Sequence, residues 1–182
     1  MKNLRLYSTL LAALVLSCSI IACAKPKPPF EPGEPGAEAP DFVLKTVDGE
    51  KLRLSDFRSR PIILYFWSDD LYPQCEQDML LLQTAYAKWS NQGLVLLAVD
   101  IYGYDVASVK RFAANKGLTF PILLDPKLEV YRGIYNIPSG VPITYFINNE
   151  GIVEVIKFGC FNSMDEMESK LSSILINPKE GH

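Results

Sequence analysis

Histidine is nearly missing from this chain of 182 residues, with one residue, His182, and cysteine is scarce at four. No paired Cys/His spacing of the kind that holds zinc occurs, so no metal site is expected. The usual proton carrier of nucleophilic catalysis at neutral pH is also lacking inside the chain. Charge is modest, with 18 Lys+Arg against 21 Asp+Glu and a net charge of −3. No basic cluster stands ready to meet phosphate, which argues against a nucleic acid partner. A Gly-rich phosphate loop and internal repeats are likewise absent, and no cofactor is expected.

What is present is apolar, at 48% of residues, enough for one domain with a substantial core. Residues 1–22 have a basic start, an apolar run and small residues before Cys23, the layout of a cleaved secretory leader. Losing Lys2 and Arg5 with that leader would take the net charge to about −5. Ile20-Ile21-Ala22-Cys23 resembles the bacterial lipoprotein box, in which the cysteine is lipidated. An uncleaved membrane anchor is the alternative, since the run is close to the shortest spanning length. Residues 23–39 then form the lipidated Cys23 and a proline-rich tether, extended and disordered, able to hold the domain ~50 Å from the lipid. Residues 40–177 are the folded domain, exported and facing the periplasm.

Within it, 41–57 alternates around Asp48-Gly49 and predicts an antiparallel hairpin. Ile62 to Trp67 is an unbroken apolar run, a strand buried on both faces. A helix with Met79, Leu82, Ala85, Tyr86 and Trp89 on one face follows Pro73. Next come a strand over Leu94–Asp100, a helix over Asp105–Lys116 capped by Asp105, strands over Phe120–Leu124, Ile143–Asn148 and Ile152–Phe158, and a helix over Ser163–Ile176. This order predicts an α/β domain, a central mixed sheet flanked by helices.

Cys75 stands in the first turn of the helix after the central strand, where the partial positive charge of the helix end favours a thiolate. Against it stand Asp69, Asp70, Glu76 and Asp78, whose field opposes a second negative charge. An inert buried thiol and a redox-active one both remain open.

Phe66-Trp67 followed by Tyr72-Pro73-Gln74-Cys75 resembles the Phe-Trp…Cys-x-x-Cys segment of the thioredoxin-fold redoxins, over roughly residues 40–175. That superfamily includes TlpA-like thiol:disulfide oxidoreductases and peroxiredoxins of the alkyl hydroperoxide reductase and thiol-specific antioxidant type. Tyr72 occupies the place of the attacking cysteine, so the motif is degenerate. The spacing of the peroxiredoxin motif also fits without a gap and puts Cys75 at its peroxide-reactive position, with Ser68 for the proline and Tyr72 for the threonine. The resemblance implies a thioredoxin-like fold and a cis Val141-Pro142 bond facing the active cysteines. It also implies an active-site rim of Trp67, Tyr72, Pro73, Val141 and Pro142. Peroxiredoxins carry an arginine near the position of Pro142, and its absence counts against a peroxidase. Tyr72 either covers the helix end or donates a hydrogen bond to the thiolate.

Cys160 follows Phe158-Gly159, a glycine that the family brings near the cis proline. By default it is an incidental small hydrophobe; the sharper alternative is a displaced redox pair with Cys75. Two functions are expected: an exported, membrane-tethered thiol-dependent oxidoreductase or antioxidant using Cys75 on a thiol/disulfide protein or peroxide substrate, or a degenerate redoxin that binds a protein or peptide across the rim.

Overall fold

The computed structural model describes residues 30–68, 76–102, 105–138 and 140–175. Seven strands form one mixed sheet: β1 (Val43–Thr46), β2 (Lys51–Arg53), β3 (Ile62–Trp67), β4 (Val95–Asp100), β5 (Ile122–Leu124), β6 (Ile143–Ile147) and β7 (Val153–Phe158). Their spatial order is β2-β1-β5-β4-β3-β6-β7. β3 and β4 run parallel, as do β4 and β5, while β6 lies antiparallel to β3. The hairpin joining β1 to β2 is antiparallel, and Gly49 in its turn takes φ +88°, which a side chain would oppose. This is the α/β architecture that the alternating pattern predicts.

β3 is buried at all six positions because both of its faces are covered. Ile63, Tyr65 and Trp67 point into a layer made with α1 (Glu76–Trp89), α2 (Val106–Lys116) and α3 (Met164–Leu171). Asp105 caps α2, its side chain accepting the Ala107 N–H. Ile62, Leu64 and Phe66 face the opposite layer, built from Phe42, Val130, Tyr131, Tyr135, Val141 and Tyr145.

That second layer revises the expected tether. Residues 30–39 are not free of the domain: Ala37 and Ala39 are buried, and Glu38 bridges to Ile152. The Gly36 N–H donates to the Val153 carbonyl, and the Val153 N–H to that of Ala37. Two tyrosine hydroxyls pin the prolines, Tyr145 donating to the Pro32 carbonyl and Tyr135 to that of Pro40. Phe30 meets the Tyr135 ring edge-on at 5.2 Å. Proline removes N–H donors but leaves carbonyls, and buried phenols need acceptors, so a proline-rich segment suits this face.

Two further differences have local causes. The closing helix ends at Leu171 instead of running to Ile176, because the Ser172 and Ser173 hydroxyls donate to the Ser169 and Lys170 carbonyls and the chain tightens there. A π-helical segment, Glu129–Ile134, occupies a stretch with no predicted element. Asp125 nucleates it by accepting the N–H groups of Glu129, Val130 and Tyr131. Among the described residues, no helix is long and apolar enough to cross a membrane, and no cluster of three or more His, Cys, Asp or Glu is placed to hold a metal.

Candidate active site at the carboxyl edge of the central strand

Three pieces of chain meet beyond the end of β3: the first turn of α1, the Gly140–Pro142 segment entering β6, and the turn Gly159–Phe161 leaving β7. Val141-Pro142 is cis, and the Gly159 N–H donates to the Pro142 carbonyl at 2.9 Å. Gly159 needs φ +76° to make that approach, a conformation that favours glycine. Cys160 therefore sits one residue from the cis proline's partner, partly exposed.

Cys160 is disulfide-bonded. The reading of this residue as an incidental small hydrophobe is thereby overturned. Its partner is one of the other three cysteines, Cys18, Cys23 and Cys75, all of which lie outside the described residues, as do Tyr72 and Pro73.

The turn around Cys160 is anchored on both sides. Lys157 Nζ donates to the Phe158 and Cys160 carbonyls, at 2.9 Å each, and lies 3.7 Å from Glu166. On the other side, the Phe161 N–H donates to Asp78 Oδ1 at 2.8 Å, across 83 residues of sequence. Asp78 is fully buried, and its Oδ2 accepts the Tyr65 hydroxyl at 3.0 Å. Burial raises this carboxyl from an ordinary 3.8 to about 6; the Phe161 amide, the Tyr65 hydroxyl and the Lys157 ammonium oppose the rise, and Glu166 adds to it. The same burial, with the Asp78 charge, lifts the Tyr65 phenol far above its usual value.

Two of the four carboxylates expected to oppose a thiolate thus have specific partners. Glu76 pairs with Lys116, and Asp78 is bound into the Cys160 turn. The role of Asp78 went unread in the sequence, although a signal existed. It falls on the stripe of Leu82 and Ala85, an acid where helical spacing calls for an apolar residue.

Of the five residues expected at the rim, three are described. Trp67, Val141 and Pro142 are all buried. Trp67 packs its ring on Phe112 at 5.2 Å in one layer, while Val141 belongs to the other, so β3 and its neighbours separate residues that the linear motif grouped together. What is exposed beside the cis proline is Phe158, at 57%.

The family model described as the AhpC/TSA family matches residues 35–156. The chain belongs to the AhpC/TSA family. Within this redoxin group it is similar to the thiol-disulfide oxidoreductase ResA of Geobacillus kaustophilus, 38% identical over 139 residues that cover 76% of this chain and 77% of that one. It is also similar to the thioredoxin-like protein YneN of Bacillus subtilis, 35% identical over 138 residues, covering 75% and 78%. The crystal structure of StoA from Bacillus subtilis superposes with a TM-score of 0.60 at 26% identity, covering 73% of this chain and 98% of that chain. The fold is thioredoxin-like, with the hairpin β1–β2 added at one edge.

Proposed function

We propose that this AhpC/TSA-family chain is an exported thiol-disulfide oxidoreductase whose redox centre is a displaced pair, Cys75 with Cys160, in place of two cysteines in one helical turn. The observation that carries this reading is the disulfide at Cys160 beside a cis proline. Pairing with Cys75 is supported by the Phe161–Asp78 hydrogen bond, which joins the residue after Cys160 to the helix turn three residues beyond Cys75. The similarity to ResA supports the reaction class.

In the exchange, a thiolate of a partner dithiol attacks one sulfur of the bridge. The internal S–S bond breaks, a mixed disulfide forms, and the other cysteine leaves as a thiolate that takes up a proton. The second partner thiolate then attacks the mixed disulfide. The partner departs oxidised by two electrons, and Cys75 and Cys160 remain as thiols. A second protein, in its disulfide form, then accepts the two electrons by the reverse exchange: its S–S bond breaks to two thiols as the Cys75–Cys160 bridge re-forms.

Peptide mapping after alkylation under non-reducing conditions tests this directly. A Cys75–Cys160 cross-linked peptide that disappears on treatment with a dithiol supports the proposal, whereas a different partner for Cys160 rejects it.

Export and attachment through lipid on Cys23 belong to the same proposal and rest on the leader-like residues 1–22. Cys23→Ser is expected to move the protein from the membrane to the soluble fraction or to stall the precursor. Unchanged fractionation and migration would rule out the lipid.

A further inference from the structure

The bridge at Cys160 raises a question that a pair within one helical turn does not face. Cysteines four positions or fewer apart stay close after reduction because one helix carries both. A cysteine in the turn after β7 and another ahead of α1 have no such covalent constraint, and their return to bonding distance depends on what else ties the two elements together. Among the described residues, one direct polar tie joins them at this point, the Phe161 N–H on Asp78 Oδ1. The Tyr65 hydroxyl holds the second oxygen and fixes the carboxylate's orientation.

We propose that Asp78 is a positioning residue for Cys160: by accepting the Phe161 amide it keeps the Cys160 turn against the first turn of α1 when the pair is reduced, so that the bridge re-forms readily. The inference rests on the Cys75–Cys160 pairing. Asp78 touches no reacting atom in it; its action passes through the backbone of Phe161. Phe161 itself is buried in the α1 layer, its ring 6.3 Å from Phe146, so the turn has an apolar foot as well as a polar latch.

The role concerns an equilibrium: two glutathione thiols and the Cys75–Cys160 bridge exchange with glutathione disulfide and two protein thiols. Two electrons pass and one S–S bond replaces another. Its constant measures the effective concentration of one protein thiol at the other. In the full chain, Cys18 and Cys23 are changed to serine so that only this pair reports, and the constant is read by quenching and alkylation in glutathione buffers. Asp78→Ala is expected to shift it at least tenfold toward the reduced protein. Asp78→Asn keeps an oxygen acceptor for the Phe161 N–H and is expected to stay within threefold of the parent.

A shift under threefold in Asp78→Ala overturns the proposal, and so does an equal loss in both variants, which would assign the effect to charge. A second measurement needs no variant at Asp78. In the reduced parent protein, the Phe161 amide is expected to remain protected from hydrogen exchange, and exchange at the rate of an open amide would show that no latch survives reduction. If the parent forms no Cys75–Cys160 bridge, the functional reading falls and this inference with it. If the bridge forms and Asp78→Ala is silent, only the inference falls.

Discussion

Cys160→Ser is expected to abolish dithiol exchange and to lower the stability of the oxidised protein by about 4–5 kcal/mol. The first effect follows because one remaining thiol can form a mixed disulfide but cannot release it internally. The second follows from the long loop that a Cys75–Cys160 bridge closes: in the chain-entropy model, a loop of this size constrains the unfolded ensemble by about that amount. Against a typical domain stability of about 5–15 kcal/mol, the loss is a large share. Urea unfolding of the parent with and without a dithiol provides the control, because reduction should destabilise the parent as much as the substitution does and should leave the variant unmoved. A variant that unfolds at the parent's denaturant concentration and still exchanges thiols would be incompatible with the proposed pair.

Asp78→Asn is expected to make the oxidised protein more stable at pH 8, by about 1–3 kcal/mol, and to remove a slope from its pH profile. Burial holds the Asp78 carboxyl at about 6 in the fold, against an ordinary 3.8. Between those values the folded state keeps a proton that the unfolded chain has released. Stability from this group is therefore fully present below about pH 4 and is lost as the pH rises through 6, the opposite of a salt-bridged carboxylate. Asparagine has no proton to lose, can accept from Phe161 and can donate to the Tyr65 oxygen, so it avoids the cost of a buried charge. Unfolding midpoints measured from pH 4 to pH 8 should converge at the acid end and separate toward pH 8. Parallel curves would show that Asp78 is not held near 6.

Much of this fold was legible in the sequence because its elements announce themselves locally. The apolar run of β3, the Asp48-Gly49 turn and the Asp105 cap each depend on neighbours within a few residues, and all three form as read. The π-helical segment was not legible, since Asp125 organises it through backbone N–H groups that carry no side-chain signature. At the site, the cis Val141-Pro142 bond followed from family resemblance and is present. For Cys160 the sequence left two readings open, an incidental hydrophobe or half of a bridge, because a disulfide depends on a long-range approach that spacing cannot give. Asp78 was misread for a related reason. From the sequence its charge was weighed only as a field on Cys75, while its two hydrogen-bond partners, Tyr65 and Phe161, come from distant strands and turns.

The stitching of residues 30–39 to the sheet also limits where the domain can go. Once Phe30 is fixed against Tyr135 and Tyr145, only the stretch from Cys23 to Phe30 remains to span any gap to a lipid on Cys23. Fully extended, that stretch reaches about 25 Å at most, about half the ~50 Å that a free tether to Pro40 would allow. A lipid-anchored protein of this build would work close to the bilayer and meet partners whose thiols lie near the membrane surface, with little freedom to sweep the space beyond.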